Sequence, residues 1–196
     1  MPERIAVIDF ETTGMSPAQG ARPTEVGVAV IEEGRIVARY QSLMNAGAWV
    51  SPFIEQLTGI SNAMVRAAPP VAEVMAEVAE FVGDVPMLAH NAAFDLKFLK
   101  MKEKVSGVRF DHPVLDTMLL SRQLQGPDAD HTLDGIARRL GIQVVDRHTA
   151  LGDSLLTAAI FLRFVDMLRE QNVITLDDAI RSANMLVELH ARERAF

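Results

Sequence analysis

Two acids, Asp9 and Glu11, sit inside an apolar run, Ile5-Ala6-Val7-Ile8-Asp9-Phe10-Glu11-Thr12-Thr13-Gly14. On a strand successive side chains alternate faces, so both carboxylates point the same way as Ile5 and Val7, roughly 7 Å apart. Acids then occupy positions that belong to a core. Burying ionised carboxylates is costly without a compensating partner. Two further acids share the problem. A helix is predicted from about Ala92 to Lys104, with Lys97, Lys100 and Lys104 as its solvent stripe. At about 100° per residue Asp95 falls on nearly the opposite side, with Phe98 and Leu99. A second helix, from about Ala150 to Gln171, is apolar almost all round, with a polar stripe at Arg163, Asp166 and Glu170. Asp153 lies about 130° from the middle of that stripe and also points inward. A single inward acid has an ordinary structural reading as a cap or hydrogen-bonded core group. Four that converge repel one another unless cations join them, and an all-oxygen set selects hard ions such as Mg²⁺ or Mn²⁺. Two such ions about 3.5 to 4 Å apart clamp the attacking and leaving oxygens of a phosphoryl displacement. The chemistry is that of a phosphodiester.

His148 precedes Asp153 by five residues, about 140° around a helix, so on one helix the two would diverge. Thr149 is a suitable N-cap, which places His148 on the loop before the helix and lets it swing toward the acids. A neutral imidazole there is suited to take a proton from an attacking water near neutral pH.

The positioning elements follow in chain order. After the first strand, residues 15–23 read as a loop. Glu25-Val26-Gly27-Val28-Ala29-Val30-Ile31 and Arg35-Ile36-Val37-Ala38-Arg39-Tyr40 form a hairpin across Glu32-Glu33-Gly34. Short helical turns surround Leu57-Thr58-Gly59-Ile60, and Pro69-Pro70 opens a helix that Gly83 stops. Pro86-Met87-Leu88-Ala89-His90 suits a buried strand running into Asn91 and the Asp95 helix. Pro113-Val114-Leu115-Asp116-Thr117 is a fifth strand or the start of the next helix. Thr132 caps a helix ending at Gly141. The last stretch, from Thr175-Leu176-Asp177-Asp178 through His190, reads as an amphipathic helix.

At 196 residues and 49% hydrophobic content the chain can bury a sizeable core. No stretch is long and uncharged enough to span a bilayer. The absence of cysteine excludes disulfides and thiolate metal sites, and it fits an intracellular, cytoplasmic protein. The net charge, 19 minus 26 or -7, argues against coating long stretches of nucleic acid. It leaves room for a protein that holds only a few nucleotides and whose acids are partly neutralised by cations.

Asp9-Phe10-Glu11-Thr12-Thr13-Gly14, His90-Asn91-Ala92-Ala93-Phe94-Asp95 and His148-Thr149-Ala150-Leu151-Gly152-Asp153 resemble, in order and spacing, the three motifs of the DEDDh 3'-5' exonucleases. That family includes the proofreading subunit of the bacterial replicative DNA polymerase and RNase T. The resemblance implies an α/β, ribonuclease H-like fold, with a mixed five-stranded sheet flanked by helices. It implies that Asp9, Glu11, Asp95 and Asp153 hold two divalent cations, Mg²⁺ or Mn²⁺, and that His148 is the general base. Thr12, Thr13 and Gly14 would approach the terminal nucleotide, Leu57 and Thr58 would belong to the segment against its base, and His90, Asn91 and Phe94 would line the pocket. Asp116 has a structural role. All four lysines, between Lys97 and Lys104, form a solvated face that complements the helix dipole.

The expected activity is 3'-5' removal of nucleoside 5'-monophosphates from single-stranded or frayed 3' ends, DNA favoured. Trimming of short RNA and a non-catalytic nucleic-acid-binding or docking module are the alternatives; all four acids and the histidine are present, as an enzyme requires. Residues 1–171 are expected to form the exonuclease domain and residues 172–196 a C-terminal helical extension of it. That extension could dock a protein partner, form a homo-oligomer or cover the core.

Overall fold

The structure, a computed structural model, describes residues 4–173, 175 and 177–181. Five strands, β1 (Arg4–Thr12), β2 (Pro23–Glu32), β3 (Arg35–Leu43), β4 (Met87–Ala89) and β5 (Val114–Asp116), form one mixed sheet in the order β3-β2-β1-β4-β5. β1 pairs antiparallel with β2 and parallel with β4, and β4 pairs parallel with β5. The expected hairpin is present. Glu33 and Gly34 both take positive φ, 48° and 76°, the two-residue geometry that matches strand twist. The undecided stretch around Leu115 is both things in turn, a three-residue strand followed at once by α5 (Thr117–Gln125), because Asp116 caps that helix through Met118 N and Leu119 N.

Strand alternation divides the core in two. Ile5 and Val7 face α5, α6 (Leu133–Leu140) and α7 (Ala150–Glu170), where Leu120, Ile136, Phe161 and Phe164 are buried. Ala6, Ile8 and Phe10 face α3 (Val71–Val82) and α4 (Ala92–Ser106), with Val74, Val78 and Leu99. Two short helices, α1 (Pro52–Thr58) and α2 (Asn62–Ala67), pack on a separate small core of Val50, Ile60 and Val65.

Lys97, Lys100 and Lys104 are exposed as expected, but Lys102 is not; it is only 7% exposed. Seven residues past Asp95, it returns to the helix's inward face, where its aliphatic stem is covered. The C-terminal helix falls largely outside the described residues. Within it residues 177–181 are helical, Thr175 and Asp178 exchange capping hydrogen bonds, and Ala179 is buried against the first core face. No helix among the described residues is long and apolar enough to cross a membrane.

α7 lies directly on the sheet at Gly27, where a Cβ would overlap the backbone of Ala150 and Leu151. Gly27→Ala therefore has to lift the start of α7. It is expected to cost about 1–3 kcal/mol of stability in denaturant unfolding, as overpacking does.

Candidate active site

The carboxyl ends of β1 and β4 meet the first turns of α4 and α7. At this corner one oxygen each from Asp9, Glu11 and Asp153 lie within 4.8 Å of one another. Asp95, 3% exposed, is outside that trio. It enters from the α4 side, on the opposite sheet face from α7, and its charge is felt by Asp9.

Burial, then the charges of Asp95, Asp153 and Glu11, push the Asp9 carboxyl well above the usual carboxylate range. Burial is also the main cause for Asp95, which is raised further by Asp116 and Glu11 while backbone groups at Asp95 and Phe10 oppose the shift. Glu11 is pushed up to about 7 by burial, Asp153 and Glu25. Such a set is short of positive charge. Asp153 shows the same shortage atom by atom: Oδ2 accepts from the Arg147 guanidinium, whereas Oδ1 is buried without a hydrogen-bond partner. Hard oxygen donors, mutual repulsion and an orphaned buried oxygen together fit divalent cations.

Three contacts seat the start of α7. Glu25, opposite Glu11 in the β1–β2 register and 6% exposed, accepts from Ala150 N at 2.8 Å and from Gln41 Nε2 at 2.8 Å. Ser154 Oγ lies 2.8 Å from Gly27 O and from Ala150 O. Thr149 is the N-cap, accepting from Gly152 N at 3.1 Å and donating to Asp146 O at 2.7 Å. His148 therefore sits on the loop before the helix, as its spacing implied. Asp146 and His148 both adopt left-handed φ, 52° and 61°. Backbone held there costs non-glycine residues free energy, and these two positions flank Arg147, which with His148 lines the two cavities.

The start of α4 is held by Asp116, whose carboxylate accepts from Asn91 N (3.1 Å) and Ala92 N (3.0 Å) as well as capping α5. His90 Nδ1 lies 2.9 Å from Thr117 Oγ1, and burial lowers its pKa to about 4, so the imidazole is neutral at pH 7.

A cleft of about 490 Å³ contains Asp9, Glu11, Asp153 and His148, with Thr12, Thr13, Gly14, Leu57 and Phe94 also on its walls. An adjoining cavity of about 390 Å³ shares Asp9, Phe94 and Asp153 and adds His90, Asn91 and Arg147. Thr58 lines neither cavity. Its hydroxyl donates to Ile54 O and accepts from Ile60 N, so it closes α1 instead of facing the acids. Phe53, 71% exposed and on the cleft wall, was not anticipated, nor were Glu25 and Arg147. Glu25 carried a usable signal, an acid opening a strongly apolar strand run; Arg147 carried only its place beside His148.

A carboxyl whose pKa is raised on folding binds its proton more tightly in the folded state. Its stabilisation is full below the unfolded pKa and is lost as pH rises through the folded value. In EDTA, thermal stability is expected to fall from about pH 4.5 to about pH 7 through Glu11, with Asp9 and Asp95 acting in the same direction. Glu11→Gln is expected to flatten that slope, and Mn²⁺ to raise the melting temperature more at pH 7.5 than at pH 5.

The family model described as "Exonuclease" matches residues 6–161. A DNA polymerase III subunit epsilon-like protein of Rhodobacter capsulatus is 41% identical over 175 residues, covering 87% of this chain and 25% of that protein. The 3'-5' exonuclease DinG of Bacillus subtilis is 37% identical over 175 residues, covering 89% of this chain and 19% of that protein. The chain thus spans a quarter or less of the length of these curated relatives. Among solved structures, Exonuclease X in complex with 5' overhanging duplex DNA superposes with a TM-score of 0.74 at 23% identity, over 91% of this chain and 99% of that one. The nuclease domain of 3'hExo, a DEDDh family member bound to rAMP, gives 0.71 at 21% identity, over 88% and 95%. Both likenesses show the ribonuclease H-like fold. With the sheet, the acid-lined corner and a family match over most of its length, the chain belongs to the exonuclease family.

Proposed function

We propose that the chain is a divalent-metal-dependent 3'-5' exonuclease that releases nucleoside 5'-monophosphates from single-stranded or frayed 3' ends, DNA favoured. The observation that carries this reading is the convergence of Asp9, Glu11 and Asp153 within 4.8 Å, in one cleft with His148. The names of the relatives support it, since they include polymerase III PolC-type and epsilon-like proteins and a 3'-5' exonuclease.

Asp9, Glu11 and Asp153 would hold the cations, and Asp95 behind Asp9 completes the negative charge that retains them. Bound there, two divalent cations supply Lewis-acid activation of the attacking water and neutralise charge on the departing 3' oxygen. His148, on its strained loop, takes the proton of that water on an imidazole nitrogen. The apolar wall formed by Leu57 and Phe94 gives the terminal base a surface whose dispersion contacts do not depend on sequence. Thr12 Oγ1 donates to Gly14 O at 2.8 Å and Thr13 N donates to Arg22 O at 2.9 Å. These bonds fix the turn at which the 3' end arrives.

His148→Ala is expected to lower turnover by about 10²–10⁴-fold while preserving Mn²⁺ binding, and Asp153→Ala to lower both. The measurement is shortening of end-labelled DNA and matched RNA oligomers with Mg²⁺ or Mn²⁺, with products identified by mass. A protein that shortens neither and binds no metal overturns the reading. Faster digestion of RNA reassigns the substrate.

A further inference from the structure

Among the described residues, Arg147 is the only lysine or arginine that lines the two cavities. It is held from both sides. Nε and Nη2 donate to the two oxygens of Asp134 on α6, at 2.9 and 3.2 Å, and Nη1 donates to Asp153 Oδ2. Its side chain is 20% exposed and that of Asp153 10%, so water screens that pair poorly, whereas Asp134 is largely exposed. The guanidinium thus divides the two oxygens of Asp153: Oδ2 is bound, while Oδ1 is left buried and without a partner among the described residues. Neither neighbour in sequence would be expected to direct a side chain here at no cost, since Asp146 and His148 both sit in left-handed backbone.

We infer that Arg147 is a positioning residue that presents Asp153 to the cations through Oδ1 alone and, as a fixed positive charge, weakens their binding. The inference rests on the metal-dependent reading above. A guanidinium bound to one oxygen of a ligand carboxylate repels a divalent cation at the other, and in a partly buried site that repulsion is large enough to alter affinity by an order of magnitude. The same charge stands in for cations when none are bound, since it offsets part of the repulsion among Asp9, Glu11 and Asp153. Asp134, more exposed than Arg147, accepts from Nε and Nη2 and keeps the guanidinium from folding wholly onto Asp153.

The test is Mn²⁺ binding alone, measured by calorimetry on the full chain at pH 8, where protons compete least for the carboxylates. Arg147→Met is expected to bind Mn²⁺ about tenfold tighter and to melt at a lower temperature in EDTA. Arg147→Lys, which keeps the charge, is expected to stay within about threefold of wild type. A residue that merely braces Asp153 would give the opposite sign, so unchanged or weaker binding by Arg147→Met overturns the inference. Should Arg147→Met not fold, Arg147→Gln decides, since it removes the charge and keeps an N–H donor for Asp153. Tighter Mn²⁺ binding than wild type supports the inference, and unchanged or weaker binding overturns it. Wild type that binds no Mn²⁺ and shortens no oligomer would instead remove the functional reading on which the inference rests.

Discussion

A buried carboxylate on the second strand, Glu25, accepts the N–H of Ala150, the first residue of α7, across 125 positions of sequence. Helix starts leave N–H groups without intrahelical partners, and a carboxylate placed there also complements the positive end of the helix dipole. Beside it Gly27 lets the helix backbone rest on the strand, and Ser154 ties the first turn to Gly27 O. Together these fix the height and rotation of α7 over β1 and β2. A few tenths of an ångström at this seat are transmitted to Asp153, which must meet two acids that β1 holds independently. The alignment of the active corner therefore rests on how these contacts seat α7 on β2.

The same corner carries an electrostatic load that shapes its surroundings. Four acids are brought to it, and the compensations differ in kind. Asp153 has a guanidinium on one oxygen. Asp9, Glu11 and Asp95 hold their protons more tightly than usual, because burial and mutual repulsion disfavour the charged form. Asp116, nearby, accepts from backbone N–H groups at the starts of two helices and so joins them. Acids that look alike in sequence thus divide into those whose lone pairs are already used and those with oxygens left over for a cation.

Much of this was legible in the sequence because it obeys local periodicities. Strand alternation placed Asp9 and Glu11 with Ile5 and Val7, the helix wheel turned Asp95 and Asp153 inward, and a threonine cap moved His148 off its helix. Four of the five strands and most helix limits followed from turn residues and caps, while Pro113–Thr117 stayed open between strand and helix start. What escaped was set by distant contacts. Glu25 reads as one acid at the start of a strand until α7 is laid across it, and Arg147 reads as a solvated cation until Asp134 and Asp153 close on it. Lys102 was assigned to the outer face with its lysine neighbours, although its seven-residue spacing from Asp95 already put it on the inner one. Thr58 belongs to a motif that approaches the cleft, yet its hydroxyl is used up by its own helix.

The two walls of the cleft differ in how they are anchored. The acids stand on elements that share the two main cores, whereas α1, which carries Phe53 and Leu57, rests on a core of only Val50, Ile60 and Val65. α1 thus has fewer buried apolar anchors than the elements that carry the carboxylates. The cleft therefore has one wall set in the two main cores and one wall set on a satellite core.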